Sequence, residues 1–267
     1  MLPSLSIVTP SFNQAPFLRD TIESVLSQNY PQLQYWVMDG GSTDGSVELL
    51  RGYGDRLQWV SEPDGGQANA INRGFARCSG DIFAWINSDD RYAPGAFERV
   101  GQLFADHPEV DWVFGRCPII DRNGSVIKKW ITRYKEFWMQ RYSYRRLLIE
   151  SFINQPAVFF RRSLFARVGP LDPNYHCALD YHLFVRMAAV STPHFVDAEL
   201  AHFRIWGDGK TSRQFEVSFA EELDAARRVA AGQYPWLMFR HELNRRKLVA
   251  VYRLLAWIQS LRAPEPQ

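Results

Sequence analysis

The chain has 267 residues, 46% of them hydrophobic and 14% aromatic, enough for one large globular domain with a helical extension. With 31 basic and 29 acidic residues its formal net charge is only +2, so no global field argues for nucleic acid, and any polyanion must be met locally. Cys78, Cys117 and Cys177 are widely spaced with no CxxC or Cys/His cluster, which argues against a disulfide framework or zinc site and fits a reducing cytoplasm. The opening "MLPSLSIVTPSFNQ" lacks a basic start and a long apolar core, and no segment offers about 18 uninterrupted apolar residues, so neither secretion nor membrane crossing is expected.

In chain order, short apolar runs predict strands at Leu5 to Thr9, Leu33 to Met38, Leu57 to Val60, Ile82 to Ile86 and Val110 to Phe114. Helical spacing between them predicts helices at Phe17 to Leu26, Gln67 to Arg77 and Pro94 to His107, a βαβ rhythm with a mainly parallel sheet flanked by helices. After residue 115 the turn signal Asn123-Gly124 predicts a hairpin of Pro118 to Asp121 with Val126 to Trp130, followed by aromatic and basic helices. A strand is expected over Ile153 to Phe160, a helix over Asp180 to Ala189, and another strand over Pro193 to Phe203. From Arg213 onward the pattern reads as two helices broken near Gly232 to Pro235.

Open parallel sheets bind ligands outside the C-terminal ends of their strands. Those ends read "TPSFN", "DGGSTDG", "SEPDGGQ" and "NSDD", all polar and mostly acidic. Carboxylates there can hold magnesium or manganese, which typically bridges one or two carboxylates to substrate phosphates, and such an ion would relieve the repulsion between Asp89 and Asp90. A solvated loop with acids capping the helix after Pro94 accounts for the same residues.

"SIVTPSFNQAPFLRDTIESVLSQNYPQLQYWVMDGGSTDGSVELL", "SEPDGGQANAINRGFARCSGDIFAWINSDDRYAPGAF" and "INQPAVFFRRSLFARVGPLDPNYHCALDYHLFVRMA" resemble, in that order, family 2 glycosyltransferases with the GT-A fold. The resemblance covers roughly residues 4 to 212. It implies a GT-A domain over 1–212, with a nucleotide-sugar-binding half (1–115) and an acceptor-side half (116–212), followed by a helical extension over 213–267. It further implies an inverting enzyme that moves a sugar from a nucleoside diphosphate donor, UDP-linked in our reading, to a hydroxyl of a sugar or lipid-linked glycan in surface polysaccharide or glycolipid assembly. A nucleotidyltransferase, or a nucleotide-sugar-binding protein without turnover, stands as the alternative.

By the same resemblance, Thr9, Pro10, Phe12 and Asn13 would hold the base and ribose, as would Asp39, while Asp44 caps the following helix. Gly66, Asn69 and Arg73 would flank the nucleotide, with the helix N-terminus near Gln67 favouring phosphate. "NSDD" matches the DxD-type motif: Asp89 is the expected ligand of Mn2+ or Mg2+, Asn87 replaces the first acid, and Ser88 and Asp90 belong to the donor site, with Asp90 orienting Asp89. Asp180 matches the general base, with Leu179 in place of the motif's second acid, and Asn154 and Gln155 would line the acceptor side. In "AHFRIWGDGKTS", Arg204 and Lys210 are expected phosphate contacts, and Trp206 stands where the family's metal-binding histidine is expected, with His202 as a substitute ligand. The basic, apolar stretch from Arg240 is compatible with a helix packed on the domain, a subunit contact, or peripheral contact with an anionic membrane.

Overall fold

A computed structural model describes residues 1–206 and 214–260, with side chains through residue 254. The strands are β1 (Leu5–Ser11), β2 (Leu33–Asp39), β3 (Gln58–Ser61), β4 (Ile82–Trp85), β5 (Arg91–Tyr92), β6 (Trp112–Arg116), β7 (Ile119–Ile120), β8 (Val158–Arg161), β9 (His194–Glu199) and β10 (Ala201–Arg204). The helices are α1 (Ala15–Leu26), α2 (Ser46–Arg51), α3 (Gln67–Arg77), α4 (Ala96–Asp106), α5 (Lys129–Met139), α6 (Tyr144–Leu147), α7 (Arg162–Val168), α8 (Leu179–Val190), α9 (Phe215–Ala230) and α10 (Pro235–Ser260).

Seven strands form one sheet in the order β3-β2-β1-β4-β8-β6-β9, and β5, β10 and β7 form a second, small sheet. Strands β3, β2, β1 and β4 are mutually parallel, and β8 runs antiparallel to both its neighbours. The continuous apolar runs follow from burial on both faces of the sheet. Alternate residues of one strand enter different cores: Ile82 and Ala84 pack with Leu5, Ile7 and Val113, whereas Phe83 and Trp85 pack with Val8, Trp112 and Phe160. Pro10 is tolerated in central β1 because β4 pairs with β1 only as far as Val8, so its missing N–H lies past that ladder.

Several boundaries differ from expectation. The second arm of the expected hairpin is reduced to a bridge between Ile120 and Val126, and α5 begins at Lys129. The strand expected from Ile153 instead opens with a 3-10 turn over Gln155–Ala157, where Pro156 supplies no N–H to a ladder, and pairing starts at Val158. The strand expected over Pro193 to Phe203 is divided at Leu200 between the two sheets, and α7 was not anticipated. Helix α9 packs on the domain, with Ala225 and Ala226 fully buried in the core that contains β4, β6 and α8.

Candidate functional site

The parallel strands deliver their C-terminal loops to one edge. At the end of β2, Asp39 is 2% exposed, and its Oδ2 accepts from the N–H groups of Gly41 (3.1 Å) and Ser42 (2.9 Å) and from Ser61 Oγ (2.6 Å). Its Oδ1 accepts from Ser42 Oγ at 2.5 Å. The expected base or ribose ligand therefore staples the loops after β2 and β3 together, because a buried carboxylate with this many donors is satisfied by the protein. Asn13, at φ 52°, accepts from the Thr43 N–H at 2.9 Å, and its own N–H donates to Ser42 Oγ at 2.8 Å, locking the β1 loop to the β2 loop. Asp44 does more than cap one helix: it accepts from the Ser46 N–H at the start of α2 and the Ala15 N–H at the start of α1.

Thr9 is fully buried and its hydroxyl lies 3.0 Å from Tyr35 Oη, and Pro10 is buried as well, so their side chains form the floor of the site. Phe12, 61% exposed, presents a ring beside Gly40 and Asp64. A Cβ on Gly40 would stand 2.9 Å from Asp64 Oδ2 and 3.3 Å from the Phe12 ring, so the three residues meet closely in a cradle at this edge.

The α3 N-terminus is entered through Gly65 (φ 76°) and Gly66 (φ 117°), left-handed conformations that glycine adopts without strain. Asn69 Nδ2 donates to the Gly65 carbonyl at 3.3 Å. Arg73, expected beside the nucleotide, is turned to Glu62 and the Pro63 carbonyl, both at 3.3 Å, and braces the β3–α3 loop. Residues 65–69 form one wall of a narrow cleft whose other wall is Pro173, Tyr175, His176 and Leu179.

Beyond β4, Asn87 Oδ1 accepts from Gln67 Nε2 at 2.8 Å, and Asn87 Nδ2 donates to Asp90 Oδ2 at 3.2 Å. Its amide is thus engaged inside the protein, where contact with ribose or metal-bound water was expected. Ser88 is buried in the same turn. Asp90 is fully buried; its Oδ1 accepts from the Arg204 N–H at 2.8 Å, and burial, with the neighbouring Asp89 charge, pushes its carboxyl well above the usual carboxylate range. Asp90 therefore supports the motif from beneath. Burial also raises the Asp89 carboxyl, opposed by a hydrogen bond from Trp206, whose Nε1 donates to Asp89 Oδ2 at 3.0 Å.

Arg204, expected to contact phosphate, is turned into the protein here. It is 4% exposed, its Nε donates to the Asp89 carbonyl (2.7 Å), and its other nitrogens donate to the carbonyls of Asp121 (3.2 Å) and Arg122 (2.9 Å) and to the Asp20 carboxylate. A guanidinium so engaged braces the Asp89 turn from within the protein. His202 faces Glu199 at 3.4 Å, and Lys210 lies outside the described residues.

Trp206 packs on Phe17 with ring centroids 4.6 Å apart, and an indole N–H is a donor only, so it cannot replace a histidine ligand. Among the described residues no group of three His, Cys, Asp or Glu side chains could hold a metal ion. This donor set does not fit a cation caged by protein alone, but it fits one held jointly by Asp89 and a substrate diphosphate.

Across the cleft, Asp180 is the second residue of α8, in the first turn where a carboxylate suits the helix dipole, and its Oδ1 accepts from the Tyr181 N–H at 2.8 Å. Of the two acceptor-side residues, Gln155 is buried and its Nε2 donates to the Trp85 carbonyl at 2.7 Å, so it closes the end of β4. Asn154 Oδ1 accepts from Lys135 Nζ at 2.6 Å, and its Nδ2 donates to the Cys117 carbonyl at 3.0 Å. Sequence reasoning missed Asp64 and Lys135 as members of this constellation, and it named Gln67 and Trp206 without their contacts to Asn87 and Asp89, which join residues distant in sequence.

The family "Glycosyl transferase family 2" matches residues 6–169. An uncharacterised glycosyltransferase of Mycobacterium tuberculosis is 32% identical over 215 residues, covering 78% of this chain and 77% of the relative. Among solved structures, a mannosyltransferase from Pyrobaculum calidifontis in complex with GDP-Man and Mn2+ superposes with a TM-score of 0.65 at 19% identity, covering 100% of this chain and 82% of that one. Residues 1–349 of TarS from S. aureus, in complex with UDP-GlcNAc, give a TM-score of 0.59 at 13% identity, with 87% and 73% covered. By family and by fold, this chain is a glycosyltransferase of family 2 with a GT-A-type architecture.

Proposed function

We propose that the protein transfers a sugar from a nucleoside diphosphate donor, UDP-linked in the first instance, to a hydroxyl acceptor with inversion at the anomeric carbon. The observation that carries this reading is the convergence, at one sheet edge, of the Phe12–Gly40–Asp64 cradle, the α3 N-terminus and Asp89, with Asp180 on the helix that follows the opposite wall of the cleft. The base would rest in the cradle and the diphosphate near the α3 N-terminus, whose unpaired N–H groups favour anions. Mn2+ or Mg2+ bound with the donor would stabilise the charge on the departing diphosphate. Asp180 accepts the acceptor hydroxyl proton as the oxygen attacks, and the nucleoside diphosphate leaves; one base suffices for a single displacement. The GDP-Man, UDP-GlcNAc and Mn2+ bound by the structural neighbours support a donor and cation of this class.

No helix among the described residues is long and apolar enough to cross a membrane. On α10, however, Trp236, Phe239, Arg240, Leu243 and Lys247 are exposed at helical spacing, a pairing of apolar and basic side chains that suits an anionic membrane surface. It supports peripheral contact at the cytoplasmic face, where a lipid-linked glycan acceptor for surface polysaccharide or glycolipid would be met.

The test is a donor panel with purified protein, assayed for binding by calorimetry and for transfer, with and without manganese. Asp180→Asn is expected to lower transfer about 10²- to 10⁴-fold with donor affinity retained. Near-normal transfer by that variant would refute the base, and donor binding without turnover across acceptors would favour a binding protein.

A further inference from the structure

The wall of the cleft that leads into α8 is held from behind by α9, which lies outside the 6–169 family match. Glu221 Oε1 accepts from the His176 N–H at 3.1 Å, and its Oε2 accepts from the N–H groups of Cys177 (2.7 Å) and Ala178 (2.9 Å). Three consecutive backbone donors thus converge on one carboxylate. One turn further along α9, Asp224 Oδ2 accepts from Tyr175 Oη at 2.7 Å. Ala178 is the residue before α8, so Glu221 satisfies one of the N–H groups left over at that helix start and places a negative charge where the helix dipole favours it.

We propose that Glu221 is a positioning residue for Asp180: it fixes residues 176–178, and through them the first turn of α8, so that the Asp180 carboxylate meets the acceptor hydroxyl. Glu221 then supports the active site from α9. Asp180 is two residues beyond Ala178, so a tilt of the clamped segment is passed directly to the carboxylate, and a misplacement of about 1 Å can cost about 10²-fold in rate. The next residue of α9, Glu222, senses the same region: its carboxyl is raised to about 8 by burial first and then by the Asp180 charge, while Lys135 opposes the rise.

This inference rests on Asp180 being the base, and the experiment separates the two. Glu221→Gln and Glu221→Ala are compared with Asp224→Asn, which loosens the neighbouring Tyr175 contact without touching residues 176–178, and with Asp180→Asn. Each is measured for transfer kcat, for donor affinity and stoichiometry by calorimetry, and for amide hydrogen exchange over 175–182. Glu221→Ala is expected to lower kcat about 10- to 100-fold, Glu221→Gln by less, with donor affinity and stoichiometry unchanged and faster exchange over 176–180. Asp224→Asn is expected to lose stability but keep its kcat. The proposal is overturned if both Glu221 variants keep kcat, if kcat and donor stoichiometry fall together as in plain unfolding, or if Asp224→Asn loses kcat equally. If Asp180→Asn transfers normally, the base assignment fails instead, and faster exchange in Glu221→Ala would then leave Glu221 a structural anchor only.

Discussion

Replacing Arg204 by lysine separates a bracing role from contact with phosphate. The Arg204 side chain is 3% exposed, and it joins the Asp89, Asp121 and Arg122 carbonyls to the Asp20 carboxylate. A lysine ammonium keeps the charge but is a single point on a flexible stem, and it cannot span carbonyls on two separate turns as the planar fork does. Removing one partner from a buried charged arrangement costs about 3–5 kcal/mol; with the charge retained near Asp20, we expect the lower end, about 3 kcal/mol. For a protein of this size that corresponds to a fall in Tm of about 6–12 °C. Thermal melts would be read beside calorimetric titration with UDP at a temperature where both proteins are folded. The expected result is a large loss of Tm with nucleotide affinity within about threefold of wild type. A Tm within about 2 °C of wild type, with affinity lowered about tenfold or more, would mean that Arg204 binds the diphosphate and the reasoning is wrong.

Two further substitutions probe the scaffold. A Cβ on Gly74 would lie 2.5 Å from Val8 Cγ1 and 3.1 Å from Met38 Cγ, so Gly74→Ala should push α3 off the sheet and cost about 1–3 kcal/mol, read from the urea midpoint; a more stable variant would contradict this packing. Glu222 has a folded-state value of about 8 against an ordinary 4.5, so the folded protein holds this proton more tightly, and the associated stability is present below about 4.5 and lost as pH rises through about 8. Glu222→Gln should therefore gain Tm over wild type progressively between about pH 5 and pH 8, and a gain independent of pH would sink the assignment.

The parallel frame was legible because apolar runs bounded by polar turns report burial on both faces of a sheet. Helix α3 was expected over the residues it occupies, and the break between α9 and α10 fell at Gly232 to Pro235. The arm expected over Val126 to Trp130 failed because Trp130, Tyr134 and Phe137 recur at helical spacing, a period that a short window cannot separate from a strand. In the site, residue types were legible and their directions were not. Nothing in "HFRIW" distinguishes a guanidinium facing solvent from one buried under the Asp89 turn. The Glu221 clamp joins residues 43 to 45 positions apart, so no local pattern announces it.

Asn87 illustrates how the same blindness affects chemistry. Against an acidic motif it reads as a missing ligand, yet its Nδ2 donates to Asp90 Oδ2 at 3.2 Å while its Oδ1 accepts from Gln67. A carboxylate at position 87 could not donate, and two like charges at that separation repel by about 5 kcal/mol at an effective dielectric of about 20. Asp90 already sits in full burial beside Asp89, so a third charge would fall where it is hardest to screen. The neutral amide is therefore what allows Asp90 to be buried and to receive the Arg204 N–H, which ties β10, and with it Trp206, to the Asp89 turn. With Asn87 and Asp90 both turned inward, Asp89 would be the carboxylate of this motif left for the proposed cation, and cation affinity should then rise and fall with the nucleotide diphosphate that shares it.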